Sequence, residues 1–510
     1  MASQSYIELR GITKIFGTVV ANDQVDLSVR KGEIHALLGE NGSGKSTLVN
    51  MLSGIYSPDG GTITIDGKEQ RFQSPRDAIR AGIGMVHQHF KLVEVFSAKE
   101  NIVMNEGKGV FLKGKALSEE IYKIGKKYGL MINPDKKIYR MSVGEKQTVE
   151  ILKVLYRGAK VLILDEPTAV LTPQETKTLF DILRNMKAEG CSVILITHKL
   201  GEVMEVSDRV TVLRKGGSIG TVATAKPDPR QLTEMMVGRP IDLKIDRPPV
   251  DPALKKRVLS VEHLSCVDGD GIRVVDDMSF TVDGGEILGV AGIAGSGQKE
   301  LCEMIAGLQK ASGGRVVFQG EDILGLGPRA IIKKGVSMSF IPEDRLGMGL
   351  VAGMDVVENV MLKSYDSTPG PFMDWEKGRE LATQIVEKYQ VDTPSIYHPV
   401  KNLSGGNIQK VLLGREIDLN PALLITAYPV RGLDIGASYH IYDVLGQQKQ
   451  KGVAVLYIGE DLDVLLSLCD RIMVIHHGRI MGIVEPHQVT KEDIGLMMLG
   501  HHPGEEEDHV

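Results

Sequence analysis

Short runs of β-branched and aliphatic residues alternate along the chain with longer stretches of helical periodicity. Lys160–Leu164 and Ser192–Ile196 are such runs, and Pro173–Lys187, which lies between them, repeats its apolar residues at the helical spacing. Strands that are apolar on both faces are typical of a parallel sheet covered by helices. The alternation therefore predicts the α/β fold class, with buried parallel strands joined by crossover helices.

The sequence contains two copies of one pattern. Lys31–Gly39 (KGEIHALLG) returns as Gly284–Gly292 (GGEILGVAG), at an offset of 253 residues. Met235–Gly238 returns near the end as Met497–Gly500, at an offset of 262 residues. The second copy therefore carries an insertion of nine residues. Two copies of this length predict a pair of duplicated domains rather than a solenoid of many repeats.

Proline and charged residues separate the two copies. Arg239–Lys256 contains Pro240, Pro248, Pro249 and Pro252, a composition that resists regular structure. The predicted organisation is a first domain at 1–238, a linker at 239–256, a second domain at 257–503 and an acidic tail at 504–510.

The composition predicts a globular cytosolic protein. The formal net charge of −6 provides no concentrated positive field for nucleic-acid binding. No apolar run approaches the roughly 18 residues that span a bilayer, and the start lacks a basic and apolar leader, so we expect neither secretion nor membrane spans. The widely spaced cysteines suggest neither a zinc site nor a redox motif, and we expect them to be reduced core residues. They are Cys191, Cys266, Cys302 and Cys469.

Gly39–Thr47 has the sequence of a phosphate-binding loop, or P-loop. It follows an apolar strand and precedes the helical Leu48–Leu52, the context that this motif needs. Glycines allow backbone N–H groups to turn towards phosphate at a helix N-terminus. We expect Lys45 to hold the β- and γ-phosphates and Ser46 to ligate Mg²⁺; the alternative is a glycine-rich turn without a ligand. The candidate nucleotide-binding residues are Gly39, Asn41, Gly42, Ser43, Gly44, Lys45, Ser46 and Thr47.

Two carboxylates end a later apolar strand. Val161–Leu164 is followed directly by Asp165 and Glu166. Downstream of a P-loop, Asp165 can hold Mg²⁺ and Glu166 can polarise an attacking water. Acidic residues at strand ends are ordinarily solvated turn formers. We predict these roles for Asp165 and Glu166 because the two residues lie downstream of a P-loop.

Two similar segments each open an apolar-periodic helix. They are Ser142–Gln147 (SVGEKQ) and Leu403–Gln409 (LSGGNIQ). The second resembles the LSGGQ signature of ATP-binding cassette (ABC) ATPases, with Asn407 in place of the final glutamine, and the first resembles a degenerate form of it. A plain N-cap is the alternative for either segment alone. The resemblance implies two tandem P-loop NTPase cassettes, each a RecA-like core with a mostly parallel sheet plus antiparallel β and helical subdomains, and ATP and Mg²⁺ as cofactors.

Three more residues of the first copy match landmarks of this family. Gln88 resembles the Q-loop glutamine, His198 the switch histidine, and Phe16 the aromatic residue that stacks on adenine. Taken singly, His198 and Phe16 are more typical of capping or core residues, and it is their spacing that favours the family assignment. The resemblance implies Glu166, His198 and Gln88 as catalytic residues and Ser46, Gln88 and Asp165 as metal ligands.

The second copy has lost most of these groups. Gln298 replaces the phosphate-binding lysine, and Lys299 replaces the hydroxyl that would ligate Mg²⁺. The other replacements are Ala427 for Asp165, Tyr428 for Glu166, Glu460 for His198 and Glu343 for Gln88. We therefore expect that this copy does not hold Mg·ATP or activate water in the usual way.

The motif residues that are lost in each copy belong to one of the two expected nucleotide sites and are not distributed at random. In ABC ATPases two cassettes pack head to tail, and each nucleotide lies between the P-loop of one and the signature of the other. The resemblance therefore implies one complete site, which joins the first P-loop to Ser404, Gly405, Gly406 and Asn407 of the second copy. Asp434, where the first copy has Thr172, is the D-loop residue that would reach this site. The other site would be incomplete, which predicts one hydrolysing site per chain.

The chain resembles the ATPase subunits of sugar and nucleoside ABC importers, which carry two fused cassettes. Several stretches of its sequence distinguish between these two groups. Gly82–Phe90, Ser74–Ile79 and His35–Gly42 are similar to nucleoside importers that work with basic-membrane-lipoprotein-type binding proteins, more than to ribose or galactose importers. The resemblance implies two transmembrane permease subunits and an extracytoplasmic substrate-binding lipoprotein as partners, no nucleic acid, and a peripheral location on the cytoplasmic face of the cell membrane. A monosaccharide importer of the ribose or galactose type stays the alternative.

Two other classes of tandem-cassette protein fit the sequence less well. A cytosolic factor acting on ribosomes keeps both ATP sites and has a long, charged helical linker. A DNA-repair ATPase requires zinc cysteines or a basic face, and neither is present.

Two segments are candidates for contact with the permeases. In the family, a groove in the helical subdomain after the Q-loop receives a cytoplasmic helix of the permease. Residues 89–101 and 346–359 would line the two grooves. Phe90–Glu94 (FKLVE) and Gly347–Val351 (GMGLV) differ, which predicts two non-identical permeases; the alternative is that these segments are ordinary exposed loops.

Overall fold

A computed structural model of the chain describes residues 5–88, 90–104, 114–169, 171–224, 228–239, 243–334, 345–365 and 373–502. The internal contacts divide the chain into two compact units, Met1–Asp242 and Leu243–Val510. This division falls inside the Pro-rich segment between the two sequence copies. In the described part of that segment, regular structure is limited to a 3₁₀ turn at Pro252–Leu254. His89, Glu343 and the acidic tail at 504–510 lie outside the described residues.

The first unit alternates strands and helices. Its strands are β1 (Ser5–Phe16), β2 (Val19–Arg30), β3 (Ile34–Leu38), β4 (Gly60–Ile65), β5 (Lys68–Gln70), β6 (Ile83–Val86), β7 (Val161–Asp165), β8 (Ser192–Thr197), β9 (Arg209–Arg214) and β10 (Gly217–Ala223). Its helices are α1 (Lys45–Leu52), α2 (Pro75–Arg80), α3 (Ala98–Val103), α4 (Gly114–Tyr128), α5 (Val143–Tyr156), α6 (Pro173–Ala188), α7 (Leu200–Val206) and α8 (Pro229–Val237), with a 3₁₀ turn at Ile138–Arg140.

The described strands of this unit form two sheets. Six strands lie in the order β10-β9-β3-β8-β7-β6, all parallel except β10, which is antiparallel to β9. The other sheet is antiparallel, in the order β2-β1-β4-β5. The predicted α/β fold with buried parallel strands is confirmed.

The central strands of the parallel sheet are buried on both faces. Val161 and Ile163 of β7 belong to a hydrophobic cluster with α1 and the antiparallel sheet, whereas Leu162 and Leu164 pack on the opposite side with α5 and α6. Successive side chains of a strand point to opposite faces, so an entirely apolar run fits this environment. Because both faces are packed, the register of β7 is fixed, and Asp165 is held at the carboxyl edge of the sheet.

The second unit repeats this arrangement. Its strands are β11 (Arg257–Val267), β12 (Arg273–Asp283), β13 (Ile287–Gly292), β14 (Gly313–Phe318), β15 (Glu321–Asp322), β16 (Leu423–Ala427), β17 (Ala454–Ile458), β18 (Arg471–His476) and β19 (Arg479–Val484). Its helices are α9 (Gln298–Ile305), α10 (Pro328–Lys333), α11 (Val356–Ser364), α12 (Trp375–Lys388), α13 (Gly405–Ile417), α14 (Ile435–Gln450), α15 (Leu462–Leu468) and α16 (Lys491–Met498), with a π-helical turn at Arg345–Gly349 and a 3₁₀ turn at Val400–Asn402.

The strand order supports a duplication. The described strands lie in the order β16-β17-β13-β18-β19, which corresponds to β7-β8-β3-β9-β10 of the first unit. An antiparallel sheet with the order β12-β11-β14-β15 again accompanies it. All four cysteines are buried and free. In the ranges that the structure describes, no helix combines the length and the apolar character needed to cross a bilayer.

Candidate functional site

The P-loop connects β3 to α1 through a glycine that no other residue replaces easily. Gly44 precedes α1 with a φ of 95°. A Cβ atom at Gly44 would lie 2.5 Å from the carbonyl oxygen of Ala21 and 2.6 Å from Nδ2 of Asn22. The loop leads into a helix N-terminus, where N–H groups without intrahelical partners favour an anion. The buried hydroxyl of Ser43 has no hydrogen-bond partner among the described residues, so it is available to a ligand.

Lys45 folds back onto the P-loop. Its Nζ atom donates to the carbonyl oxygens of Gly39, at 2.7 Å, and Glu40, at 2.8 Å. Burial lowers the pKa of the ammonium, and the charges of Glu166 and Asp165 oppose this shift. Charge-assisted hydrogen bonds to an anion are stronger than those to neutral carbonyls. Lys45 is therefore placed to hold phosphate.

Asp165 and Ser46 provide oxygen atoms beside the loop. Burial, followed by the charge of Glu166, raises the pKa of Asp165, whereas Lys45 and a hydrogen bond with Ser46 lower it. Mg²⁺ prefers oxygen ligands and commonly binds through one or two carboxylates together with substrate phosphates. In the described residues, no group of three or more His, Cys, Asp or Glu side chains could hold a metal ion. The donors present fit Mg²⁺ that binds together with phosphate.

Glu166 contacts both residues that the sequence predicted to act with it. Nε2 of Gln88 donates to Oε2 of Glu166 at 3.1 Å, and Nδ1 of His198 lies 2.9 Å from Oε1. The hydrogen bond with His198 is the largest cause that lowers the pKa of Glu166. The carboxylate is therefore ionised and held at both oxygens, as a general base requires.

The backbone of Glu166 is strained. Its φ of 47° lies in the left-handed region, which costs about 1–3 kcal/mol for a residue other than glycine. Its N–H donates to the carbonyl oxygen of Ile196, in β8, at 2.9 Å. Such a conformation persists because the surrounding structure determines it, and it is typical of active sites.

Phe16 presents an exposed ring at the end of β1. Its ring centroid lies 5.2 Å from that of Tyr56 in an edge-on contact, and Nζ of Lys14 lies 5.5 Å from the Phe16 centroid. The residue is 42% exposed. The ring is oriented by these neighbours and available for stacking on a base.

The signature of the first copy already holds carboxylates. Ser142 caps α5 and forms a reciprocal capping box with Glu145. The carboxylate of Glu175, on α6, accepts a hydrogen bond from the N–H of Gly144 at 3.2 Å. Two carboxylates thus complement the positive N-terminus of α5, in the place that an anionic ligand would take.

The signature of the second copy has no counterpart of the Glu175 carboxylate. Ser404 caps α13, and its Oγ accepts from the backbone N–H of Asn407 at 3.4 Å and from Nδ2 of Asn407 at 3.0 Å. Ala437, 262 residues after Glu175, has no side-chain acceptor. Asp434 caps α14, and a Cβ atom on Gly406 would lie 3.7 Å from its Oδ2. The structure brings the predicted signature and Asp434 together.

The second P-loop keeps the backbone shape but not the charge. Gly297 has a φ of 99°, close to that of its counterpart in the first copy. Nε2 of Gln298 donates to the carbonyl oxygen of Ile293 at 3.1 Å, where a lysine bonds in the first copy. Nζ of Lys299 lies 3.8 Å from Oε1 of Glu303. A neutral amide therefore has the place of the Lys45 ammonium.

Tyr428 has the backbone position of the first copy's glutamate. Its φ is 53°, and its N–H donates to the carbonyl oxygen of Ile458 at 2.8 Å. Burial raises the pKa of the Tyr428 phenol to about 12, so this group is protonated at neutral pH. Oε1 of Glu460, at the switch-histidine position, lies 3.5 Å from Nε of Arg431. At these positions the second unit therefore lacks the carboxylate–histidine pair that Glu166 and His198 form in the first one.

Sequence reasoning missed a buried carboxylate near Glu166 and His198. Glu202, in α7, accepts hydrogen bonds from the hydroxyls of Thr168 and Thr197. The signal that could have found it is the difference between the copies, because Val464 has this position in the second one.

The comparison with protein families identifies the class. The model of the family described as ABC transporter matches residues 22–169 and 275–429, once in each unit and over more than half of the chain. The chain belongs to the ABC transporter family, as its motifs predicted, and it is an ATP-binding ATPase of that family.

Particular relatives align over nearly the whole chain. The nucleoside import ATP-binding protein NupA of Lactococcus lactis subsp. cremoris (strain MG1363) is 45% identical over 98% of this chain and 99% of the relative. The guanosine import ATP-binding protein NupO of Bacillus subtilis (strain 168) is 45% identical over 97% of each. The ribose import ATP-binding protein RbsA 1 of Rubrobacter xylanophilus (strain DSM 9941 / JCM 11954 / NBRC 16129 / PRD-1) is 39% identical over 97% of this chain and 98% of the relative. These matches confirm the predicted resemblance to nucleoside and sugar importer ATPases.

Proposed function

We propose that the chain is the ATP-hydrolysing subunit of an importer whose cargo is a nucleoside. ATP hydrolysis is supported by the position of the Glu166 carboxylate at the end of β7, where Gln88 and His198 hold it. The nucleoside cargo is supported by the 45% identity to NupA and NupO, against 39% to the ribose relative. Ribose or a similar monosaccharide is the second candidate cargo, supported by that last relative.

The P-loop side chains bind the nucleotide. Lys45 exchanges its carbonyl contacts for the β- and γ-phosphates, and the ring of Phe16 stacks on adenine. Ser46, Asp165 and Gln88 would hold Mg²⁺, which neutralises phosphate charge when it is bound.

Glu166 acts as the general base. Its ionised carboxylate accepts a proton from the attacking water, and a positioned base of this kind typically contributes about 10²- to 10⁴-fold to the rate. Gln88 and His198 hold the two carboxylate oxygens, which restricts the directions from which the proton is accepted.

One site per chain performs this reaction. The resemblance to ABC ATPases assigns to it the first P-loop and, from the second copy, Ser404–Asn407 and Asp434. The neutral Gln298 in the second P-loop supports this assignment. So does the Glu175 carboxylate at the start of α5, because a carboxylate in that position repels a phosphate.

The chain binds to membrane-embedded partners. We assign these partners as two non-identical transmembrane permeases, served by an extracytoplasmic substrate-binding lipoprotein, with the chain peripheral on the cytoplasmic face. Exposed apolar side chains support this: Val95 is 67% exposed in the first candidate segment and Val351 44% in the second. Exposed apolar residues close together in sequence are typical of contact surfaces.

Transport by the assembled complex tests the cargo. The full chain is purified with the permeases that co-purify with it and reconstituted into vesicles with a binding protein, and ATP-dependent uptake of guanosine and ribose is compared. We expect guanosine uptake, with a Lys45→Ala chain as the inactive control. Uptake of ribose alone would replace the nucleoside by the sugar, and co-purification with ribosomes instead of membrane subunits would reject the importer.

A further inference from the structure

A buried carboxylate connects the turn after β7 to the end of β8 in the first unit. Glu202 lies in α7, and its side chain is 10% exposed. The hydroxyl of Thr168 donates to its Oε1 atom, and the hydroxyl of Thr197 donates to Oε2 at 3.0 Å. Both threonines are buried. The carboxylate therefore joins the turn after β7 to the last residue of β8.

Lys199 completes this cluster. Its Nζ atom lies 3.3 Å from Oε1 of Glu202, and its backbone N–H donates to Oγ1 of Thr197 at 3.0 Å. Hydrogen bonds to a charged group in a buried setting are strong and geometrically defined. The cluster is therefore a stiff connection rather than a loose surface contact.

The two threonines are next to the proposed catalytic pair. Thr168 follows Glu166 by two residues, and Thr197 directly precedes His198. Glu166 has a left-handed backbone, and its carboxylate lies 2.9 Å from Nδ1 of His198. A strained residue keeps its conformation because its surroundings impose it. Glu202 thus bonds to the residue two positions after Glu166 and to the residue just before His198.

The second unit has lost this connection together with the catalytic pair. The residues at the positions of Thr168, Thr197 and Glu202 are Val430, Gly459 and Val464. Val430 and Val464 pack against the hydrophobic core of that unit. The same strand order is thus stable without the polar cluster. The cluster is present in the unit that has the base and the histidine, and apolar contacts replace it in the other unit.

We propose that Glu202 is a positioning residue for ATP hydrolysis, which holds Glu166 and His198 together through Thr168 and Thr197. This inference rests on the proposed function, in which Glu166 is the general base. Glu202 acts through these two threonines and not on the nucleotide. Its removal therefore slows turnover and leaves ATP binding unchanged.

The first test separates turnover from binding in the full-length chain. Hydrolysis and binding of ATP are measured for Glu202→Gln, with Glu205→Gln as the control; Glu205 lies on the same helix, and its carboxylate is half-exposed and 3.8 Å from Arg184. We expect kcat of Glu202→Gln to fall by about ten- to a hundredfold, because small displacements of a catalytic group have effects of this order. KM and ATP affinity stay within about twofold, and Glu205→Gln is unaffected. An unchanged kcat, or a rise of KM with kcat constant, overturns the inference.

The second test asks whether Glu202 acts through Glu166. If it does, Glu202→Gln adds no loss to the residual rate of Glu166→Gln, because the group that it positions is already absent. Losses that multiply in the double variant would overturn the inference. A Glu166→Gln chain with full activity would instead reject the proposed base, so the two failures are distinguishable.

Substitution of a threonine guards against misfolding. Thr197→Val removes the hydroxyl that Glu202 accepts from and keeps the shape of the side chain, whereas Thr197→Ser retains the hydroxyl. We expect the valine variant to fold, with a melting temperature lowered by the lost hydrogen bonds, and to lose kcat at a temperature well below its melting point. We expect the serine variant to regain most of kcat. Equal kcat values for Thr197→Val and Thr197→Ser would contradict the positioning role of Glu202. This comparison does not depend on whether Glu202→Gln folds.

Discussion

Nδ1 of His198 lies 2.9 Å from Oε1 of Glu166, although their positions in the sequence differ by 32. They follow β8 and β7, which are adjacent and parallel, so their carboxyl ends meet at the same edge of the sheet. The hydrogen bond with His198 lowers the pKa of Glu166, whereas burial raises it. This relationship determines how the carboxylate responds to mutation and to pH.

Glu166→Gln tests the general base. The amide keeps the shape and the hydrogen-bonding capacity of the side chain but does not accept a proton from water. We expect ATP hydrolysis to fall by about 10²- to 10⁴-fold while ATP binding survives. Single-turnover hydrolysis and nucleotide affinity are the measurements. Loss of ATP binding would show instead that Glu166 has a structural or metal-binding role.

His198→Ala changes the pH dependence of hydrolysis. The hydrogen bond with His198 is the main cause of the lowered pKa of Glu166, and burial acts in the other direction. Without the imidazole, the pKa of Glu166 rises. Since the base works when ionised, the acid limb of the kcat profile moves to higher pH. His487→Ala, at an exposed site, is the control; an acid limb in the same position for both variants would contradict the assigned pair.

Local sequence patterns predicted much of this architecture. The continuous apolar run of β7 fits a strand buried on both faces, and the carboxylates Asp165 and Glu166 lie at the end of this run. The P-loop was predictable because Gly44 has to adopt a positive φ before a helix, which is a local requirement. His198 was predicted from the resemblance to ABC ATPases and not from a local pattern; in the structure, the adjacent parallel strands β7 and β8 bring it to Glu166.

Contacts between distant turns were not predictable in the same way. Glu202 has an ordinary position on the short helix α7, and its bonds to Thr168 and Thr197 depend on how that helix packs against the turn after β7 and the end of β8. Likewise, nothing in the periodicity of α6 indicates that Glu175 reaches the N–H of Gly144 on another helix. Such long-range polar contacts depend on the tertiary structure.

Ser404→Arg and Gln298→Lys test the number of active sites. Ser404→Arg places a long cation at the start of α13, within the proposed complete site, and should nearly abolish Mg²⁺-dependent hydrolysis. Gln298→Lys restores an ammonium in the second P-loop, but Tyr428 and Glu460 still replace the base and the histidine there, so we expect little change. Equal loss of activity in the two variants would reject a single hydrolysing site. The measurement is the steady-state ATPase rate per chain.

Charged residues in the two candidate permease segments test coupling to the membrane. Val95 and Val351 are exposed, so Val95→Glu and Val351→Glu should leave folding and ATP binding of the isolated chain intact. If permease helices cover these side chains, a carboxylate in the contact is buried without a partner, and assembly or transport is lost.

Leu92 packs against the core of the first unit and is unsuitable, because a charge there would disturb the fold. Tyr122→Glu, at an exposed site on α4 outside both segments, is the matched control. Normal assembly and transport by both valine variants would show that these segments do not contact the permeases.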